Sequence, residues 1–149
     1  SVLGPDWPYG GGGRIEGAFT ALLASSAADP LYITQTGLVP ADSRWLLFNA
    51  YVYQFQSPSA FGVSLNGQDV PMTALATYSY YSLYGGNIST FAGSDAELRF
   101  TVFPGPANTL GLDSIVFSPV PEPGSLALLV LGLLGVAGLH RRHAKRPRT

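Results

Sequence analysis

In 149 residues the chain carries 46% hydrophobic, 12% aromatic and only 11% charged side chains, with 18 Gly, 12 Pro and no Cys. That balance speaks against a helical protein, which would be rich in Ala, Glu, Lys and Leu, and the lack of thiols excludes cysteine-based zinc, iron–sulfur, disulfide and thiol chemistry. The formal net charge of −1 hides a segregation: five of the eight Lys and Arg fall in the last nine positions, leaving Arg14, Arg44 and Arg99 against nine acids, so nucleic acid is not an expected partner of the globular part.

Residues 1–15, SVLGPDWPYGGGGRI, hold two prolines and four consecutive glycines without either period, and read as a loop. Gly10 to Gly13 is followed by neither Gly-Lys-Ser/Thr nor a helical pattern, so a turn-forming stretch is favoured over a phosphate cradle. The chain opens on Ser1 with no visible signal peptide, which fits a removed leader or a piece of a longer product.

From Gly17 the runs are strand-like and separated by turn residues. GAFTALLA and LYITQTG flank SSAADP; RWLLFNAYVY alternates, with Leu46, Phe48, Ala50 and Val52 on one face and Trp45, Leu47, Asn49, Tyr51 and Tyr53 on the other. Both faces are partly apolar, which predicts a central strand with a covered outer surface. In AFGVSLNGQDVPM, Asn66-Gly67 supplies the two positive-φ positions of a type I′ hairpin. TYSYYSLYGG, AELRFTVF and LGLDSIVF follow; Leu98, Phe100 and Val102 alternate with Glu97, Arg99 and Thr101, and simple alternation points Ile115 and Phe117 the same way as Asp113. With no 3.6 period between Gly17 and Phe117, residues 16–118 are expected to form an all-β antiparallel β-sandwich.

The last 31 residues, 119–149, are organised differently. Val120-Pro121-Glu122-Pro123 precedes an uncharged 16-residue run, 124–139, and a basic tail, 140–149. Each part has a plain reading: a stiff linker, a buried or interfacial helix, a solvated end. Together they favour one transmembrane helix. The run is apolar all round, and its helical rise of about 24 Å can be matched by local thinning or snorkelling arginines. Arg141, Arg142, Lys145 and Arg146 would act as a stop-transfer signal on the cytoplasmic side, leaving the β-domain outside.

This three-part order resembles the PEP-CTERM sorting signal of Gram-negative bacteria that make exopolysaccharide. The resemblance implies that a membrane-embedded exosortase recognises Pro121, Glu122 and Pro123, cuts near them, and releases the protein to the cell surface or extracellular matrix. The tail, HAKRPRT after the Arg pair, is longer than the common short ending. The body is similar to the β-sandwich regions of other PEP-CTERM exported proteins, whose shape resembles jelly-roll, galactose-binding-like modules. That likeness implies further strands upstream of Ile15-Glu16-Gly17, hence an incomplete sandwich with an exposed, aggregation-prone edge.

Chemistry in the body is sparse. His140 and His143 both lie in the tail, leaving carboxylates and tyrosines. Asp95 and Glu97 beside Arg99 read as a turn and a surface ion pair rather than a catalytic pair, and no catalytic residue is assigned. Jelly-roll likeness suggests a structural Ca²⁺ at Glu16 and Asp113, although Asp113 equally suits a turn cap or a bond to a neighbouring strand. Tyr78, Tyr80, Tyr81 and Tyr84 crowd one region and would suit stacking on an exopolysaccharide, or simply cover a half-buried sheet. Asn87-Ile88-Ser89 fits a glycosylation pattern by accident in a bacterial protein. The expectation is a non-enzymatic exported protein, structural or glycan-binding; the rivals are an accessory piece of a glycan-active enzyme and a permanently anchored membrane protein.

Overall fold

The computed structural model describes residues 2–3, 15, 20–25, 28–53, 60–105 and 107–120. Their strands are β1 (Val2–Leu3), β2 (Thr20–Ala24), β3 (Leu31–Leu38), β4 (Trp45–Tyr53), β5 (Phe61–Leu65), β6 (Gln68–Asp69), β7 (Thr73–Thr77), β8 (Ser82–Asn87), β9 (Asp95–Val102) and β10 (Thr109–Ser118). The one helical element among them is a 3-10 turn, Ser89–Phe91. The strands form a six-stranded sheet, β1-β2-β10-β4-β8-β7, and a four-stranded sheet, β3-β9-β5-β6, antiparallel at every pairing. The expected all-β architecture of two antiparallel sheets is therefore present. The predicted helix at 124–139 lies outside the described residues; among the described residues no helix is long and apolar enough to cross a membrane.

The core follows from alternation. Leu46, Phe48 and Ala50 of β4 meet Val63, Leu65, Leu98, Phe100 and Val102 of the facing sheet in one buried cluster. Phe48 sits at its centre, edge-on to Phe61 and Phe100 with ring centroids 6.1 and 5.0 Å away, and stacked on Tyr84 at 5.6 Å. Such edge-to-face pairs add to the area they bury because each positive ring edge meets a negative ring face.

The hairpin at Asn66-Gly67 has the expected positive φ at both residues, 49° and 76°. Asn66 also ties the turn to β9: its Oδ1 accepts from the Glu97 N–H at 2.8 Å, and its Nδ2 donates to the Asp95 carbonyl at 3.3 Å.

β4 lies between β10 and β8, and residues on both of its faces are buried, as its doubly apolar pattern predicts. Leu75 helps to cover the outer face. The β7 register shifts between Ala74 and Ala76, and Leu75 approaches β8 where only Gly85 leaves room; a Cβ there would lie 2.6 Å from Leu75 Cδ1.

Three placements differ from simple sequence reading. Val2–Leu3, inside the stretch read as loop, pairs with Ala21 and Thr20. Thr73–Thr77 forms a strand that its small, weakly patterned residues do not announce. Asp113 and Phe117 do not share a face: a bulge between Asp113 and Val116, with Ser114 at φ 50°, inserts one residue and flips the alternation. Asp113 then stands opposite Asn49 on the outer face, while Phe117 packs against the core. At the side of the smaller sheet, all eight residues of β3 are exposed, including Leu31 and Ile33 on the core-facing side. β3 carries no charge, proline or register shift, the devices that usually blunt an edge.

Candidate functional site

The four tyrosines separate. Tyr84 of β8 stands opposite Phe48 and points inward, where burial pushes its phenol above the usual tyrosine range. Tyr80 is 84% exposed near the tip of the β7–β8 hairpin. Tyr78 and Tyr81 close that hairpin, the Tyr78 N–H donating to the Tyr81 carbonyl at 2.8 Å. Their rings stack at 4.7 Å between centroids, 30° apart in plane. Only Tyr78 and Tyr81 of the four are brought together in one concavity.

That concavity is a pocket of about 270 Å³ on the outer face of the six-stranded sheet, lined by Leu47, Asn49, Tyr78, Tyr81, Leu83, Ser114 and Val116. Pairing explains why these residues meet. Asn49 lies between Asp113 of β10 and Leu83 of β8, and Val116 lies opposite Leu47. The β10 bulge is what brings Ser114 and Val116 to the rim; an unbroken strand would put Ile115 there instead of Val116.

Asn49 is the unusual member. It is only 8% exposed, and its side-chain amide has no hydrogen-bond partner among the described residues. A carboxamide offers two N–H donors and one carbonyl acceptor, and leaving them unmet in a buried place is costly. Here they open onto the pocket. Sequence reasoning placed Asn49 on the second face of β4 without weighing it as a site; the legible signal was one amide among Trp45, Leu47 and Tyr51.

Two other concavities are larger but chemically plainer. A cleft of about 360 Å³ lies between β3, β9 and the end of β10, with Ile33, Leu98, Phe100, Ile115 and Phe117 among its walls. A groove of about 670 Å³ runs by Phe61, Val70, Met72, Tyr84 and Phe103. No buried polar side chain lines either one among the described residues.

Asp113 is already engaged. Its Oδ2 accepts from the Thr20 hydroxyl at 2.9 Å, joining β10 to β2, and its Oδ1 accepts from the Ser114 N–H at 2.7 Å. These are the neighbouring-strand bond and turn cap that were the alternative to calcium. Glu16, the other calcium candidate, lies outside the described residues, and among the described residues no three His, Cys, Asp or Glu gather as a metal site. Glu97 and Arg99 form a surface ion pair at 2.9 Å, and Arg99 also lies 4.8 Å over the Tyr32 ring.

At its other end the sandwich hands over directly to the C-terminal segment. β10 stops at Ser118, whose carbonyl accepts from the Arg44 N–H at 2.9 Å. The Ser118 hydroxyl donates to the Val120 carbonyl at 2.6 Å and accepts from the Val120 N–H at 3.3 Å, fixing the first residues past the strand. From the next residue after the strand, positions 119–142, the sequence matches the family profile of the PEP-CTERM protein-sorting motif. The chain carries a PEP-CTERM sorting signal.

A PEP-CTERM signal implies export, an exosortase as processing partner, and membrane-linked handling of the C-terminus. The match covers Val120 and the Pro121-Glu122-Pro123 motif, as well as Arg141 and Arg142; Lys145 and Arg146 fall beyond it. Pro121 onward, including all four of those basic residues, lies outside the described residues. No curated protein and no solved structure matches the chain significantly.

Proposed function

We propose that this PEP-CTERM protein is the precursor of a non-catalytic module, structural or glycan-binding, that works at the cell surface or in an exopolysaccharide matrix. Its C-terminal helix, 124–139, would sit in the membrane with Arg141, Arg142, Lys145 and Arg146 on the cytoplasmic side and the sandwich outside. Exosortase would then cut near Pro121, Glu122 and Pro123. The observation that carries this reading is the junction: β10, paired with β4 through its last residue, is complete at Ser118 before the motif begins. A cut near Pro-Glu-Pro therefore leaves every described strand intact, so a folded domain survives its own processing. The jelly-roll, galactose-binding-like likeness and the two stacked tyrosines favour glycan over other extracellular ligands.

Mass spectrometry of the mature C-terminus from an exosortase-containing host tests the processing step. A terminus close to Pro121–Pro123 is expected; surface material that still contains Leu126 to Leu139 would mean a permanent anchor. Incubation with neutral polysaccharide tests the role. Retention without product supports the module, and released oligosaccharide would make it part of a glycan-active enzyme.

A further inference from the structure

We propose that the outer pocket around Asn49 binds a single ring of a neutral saccharide, with the Asn49 carboxamide reading its hydroxyl or acetamido groups. This inference rests on the glycan-binding reading above and gives it an address.

Three features converge on that ligand class. The first is the amide itself: buried, without a hydrogen-bond partner among the described residues, and open to the pocket. Its donors and acceptor complement a group that both donates and accepts, as a sugar hydroxyl or an acetamido does. Apolar ligands would leave the amide unmet and bind at a penalty. The second is the wall. Tyr78 and Tyr81, stacked together, bring aromatic surface beside Leu47, Leu83 and Val116, which suits the apolar C–H face of a pyranose.

The third is charge. None of the described residues lining the pocket is ionisable near neutral pH, and the adjacent Asp113 carboxylate already accepts from Thr20 and Ser114. Among the described residues no lysine or arginine lines the pocket to meet a phosphate or uronate, which favours neutral sugars over nucleotides and acidic sugars. At about 270 Å³ the pocket is slightly smaller than the usual ligand site of roughly 300–1,000 Å³, room for one ring rather than a buried oligomer. A longer glycan would have to enter by its end or by a branch.

The full chain, held in a zwitterionic detergent without a sugar headgroup, would be titrated with glucose, galactose and N-acetylglucosamine, with glucuronate as the charged comparison. Isotope-edited NMR follows the Asn49 side-chain amide. At least one neutral sugar is expected to shift that signal saturably, with glucuronate weaker. Asn49→Leu and Tyr78→Ala should each weaken binding about tenfold or more, whereas Tyr80→Ala at the hairpin tip should not change it. If sugars or a neutral polysaccharide bind but the Asn49 signal stays still and both variants bind normally, the pocket is the wrong address while the glycan reading survives. If neither sugars nor polysaccharide bind at all, both fall. Tyr78 is exposed, so its variant remains informative should Asn49→Leu fold poorly.

Discussion

Phe48 and Asn49 are neighbours on one strand, both buried, and they meet opposite surroundings. On the core side Phe48 packs against aromatic rings on three other strands, within the buried apolar cluster. On the outer side Asn49 lies among leucines, a valine and a tyrosine pair, with its amide unmet among the described residues. The inner face is closed by a second sheet. Among the described residues the outer face is covered by Leu75 and the β7–β8 hairpin, beside which lies a pocket. Burial on both sides of one strand thus accompanies a closed aromatic core on one side and an open, partly polar pocket on the other.

The largest expected break in this contrast is Phe48→Ala. It removes the ring that the core is packed around and should cost about 3–5 kcal/mol in urea or thermal unfolding. A loss under about 1 kcal/mol would mean that the inner face is not the principal source of stability. Next is Gly85→Val, which drives a side chain into Leu75 and Leu47 on the outer face. The expected cost is about 1–3 kcal/mol, and the displaced cover should also alter sugar binding in the pocket. Unchanged unfolding and binding would show that Leu75 is free to move aside.

Much of this fold was legible. Alternation in RWLLFNAYVY and AELRFTVF gave the central strands, and Asn66-Gly67 gave the hairpin, because period and turn chemistry are local properties. The bulge after Asp113 was not, since inserting one extra residue into a ladder depends on the partner strand, and it turned Asp113 away from Phe117. β7 was missed because Thr-Ala-Leu-Ala-Thr takes its strand form from β8 rather than from its own pattern. The tyrosines were seen as a group, but residue type alone does not say that Tyr84 turns inward while Tyr78 and Tyr81 turn outward. The sorting signal was readable outright, being defined by short linear order rather than by contacts.

A smaller effect sharpens the inner side. The Tyr84 phenol is raised above its unfolded value of 10.0 by burial, so the neutral form is the one the core favours. Its contribution is fully present below pH 10.0 and is lost as pH rises through the higher folded value. Tyr84→Phe should flatten that alkaline decline in an unfolding-against-pH series; an unchanged slope would assign the decline to other groups.

The contrast between the two faces rests on the Asn49 amide having no hydrogen-bond partner among the described residues, and ligand-free unfolding of Asn49→Leu measures that directly. Removing a polar group that no described residue satisfies should leave stability unchanged or raise it by about 1 kcal/mol. A loss of more than about 1 kcal/mol would show that the amide holds the fold together, and the pocket would then be a by-product of packing.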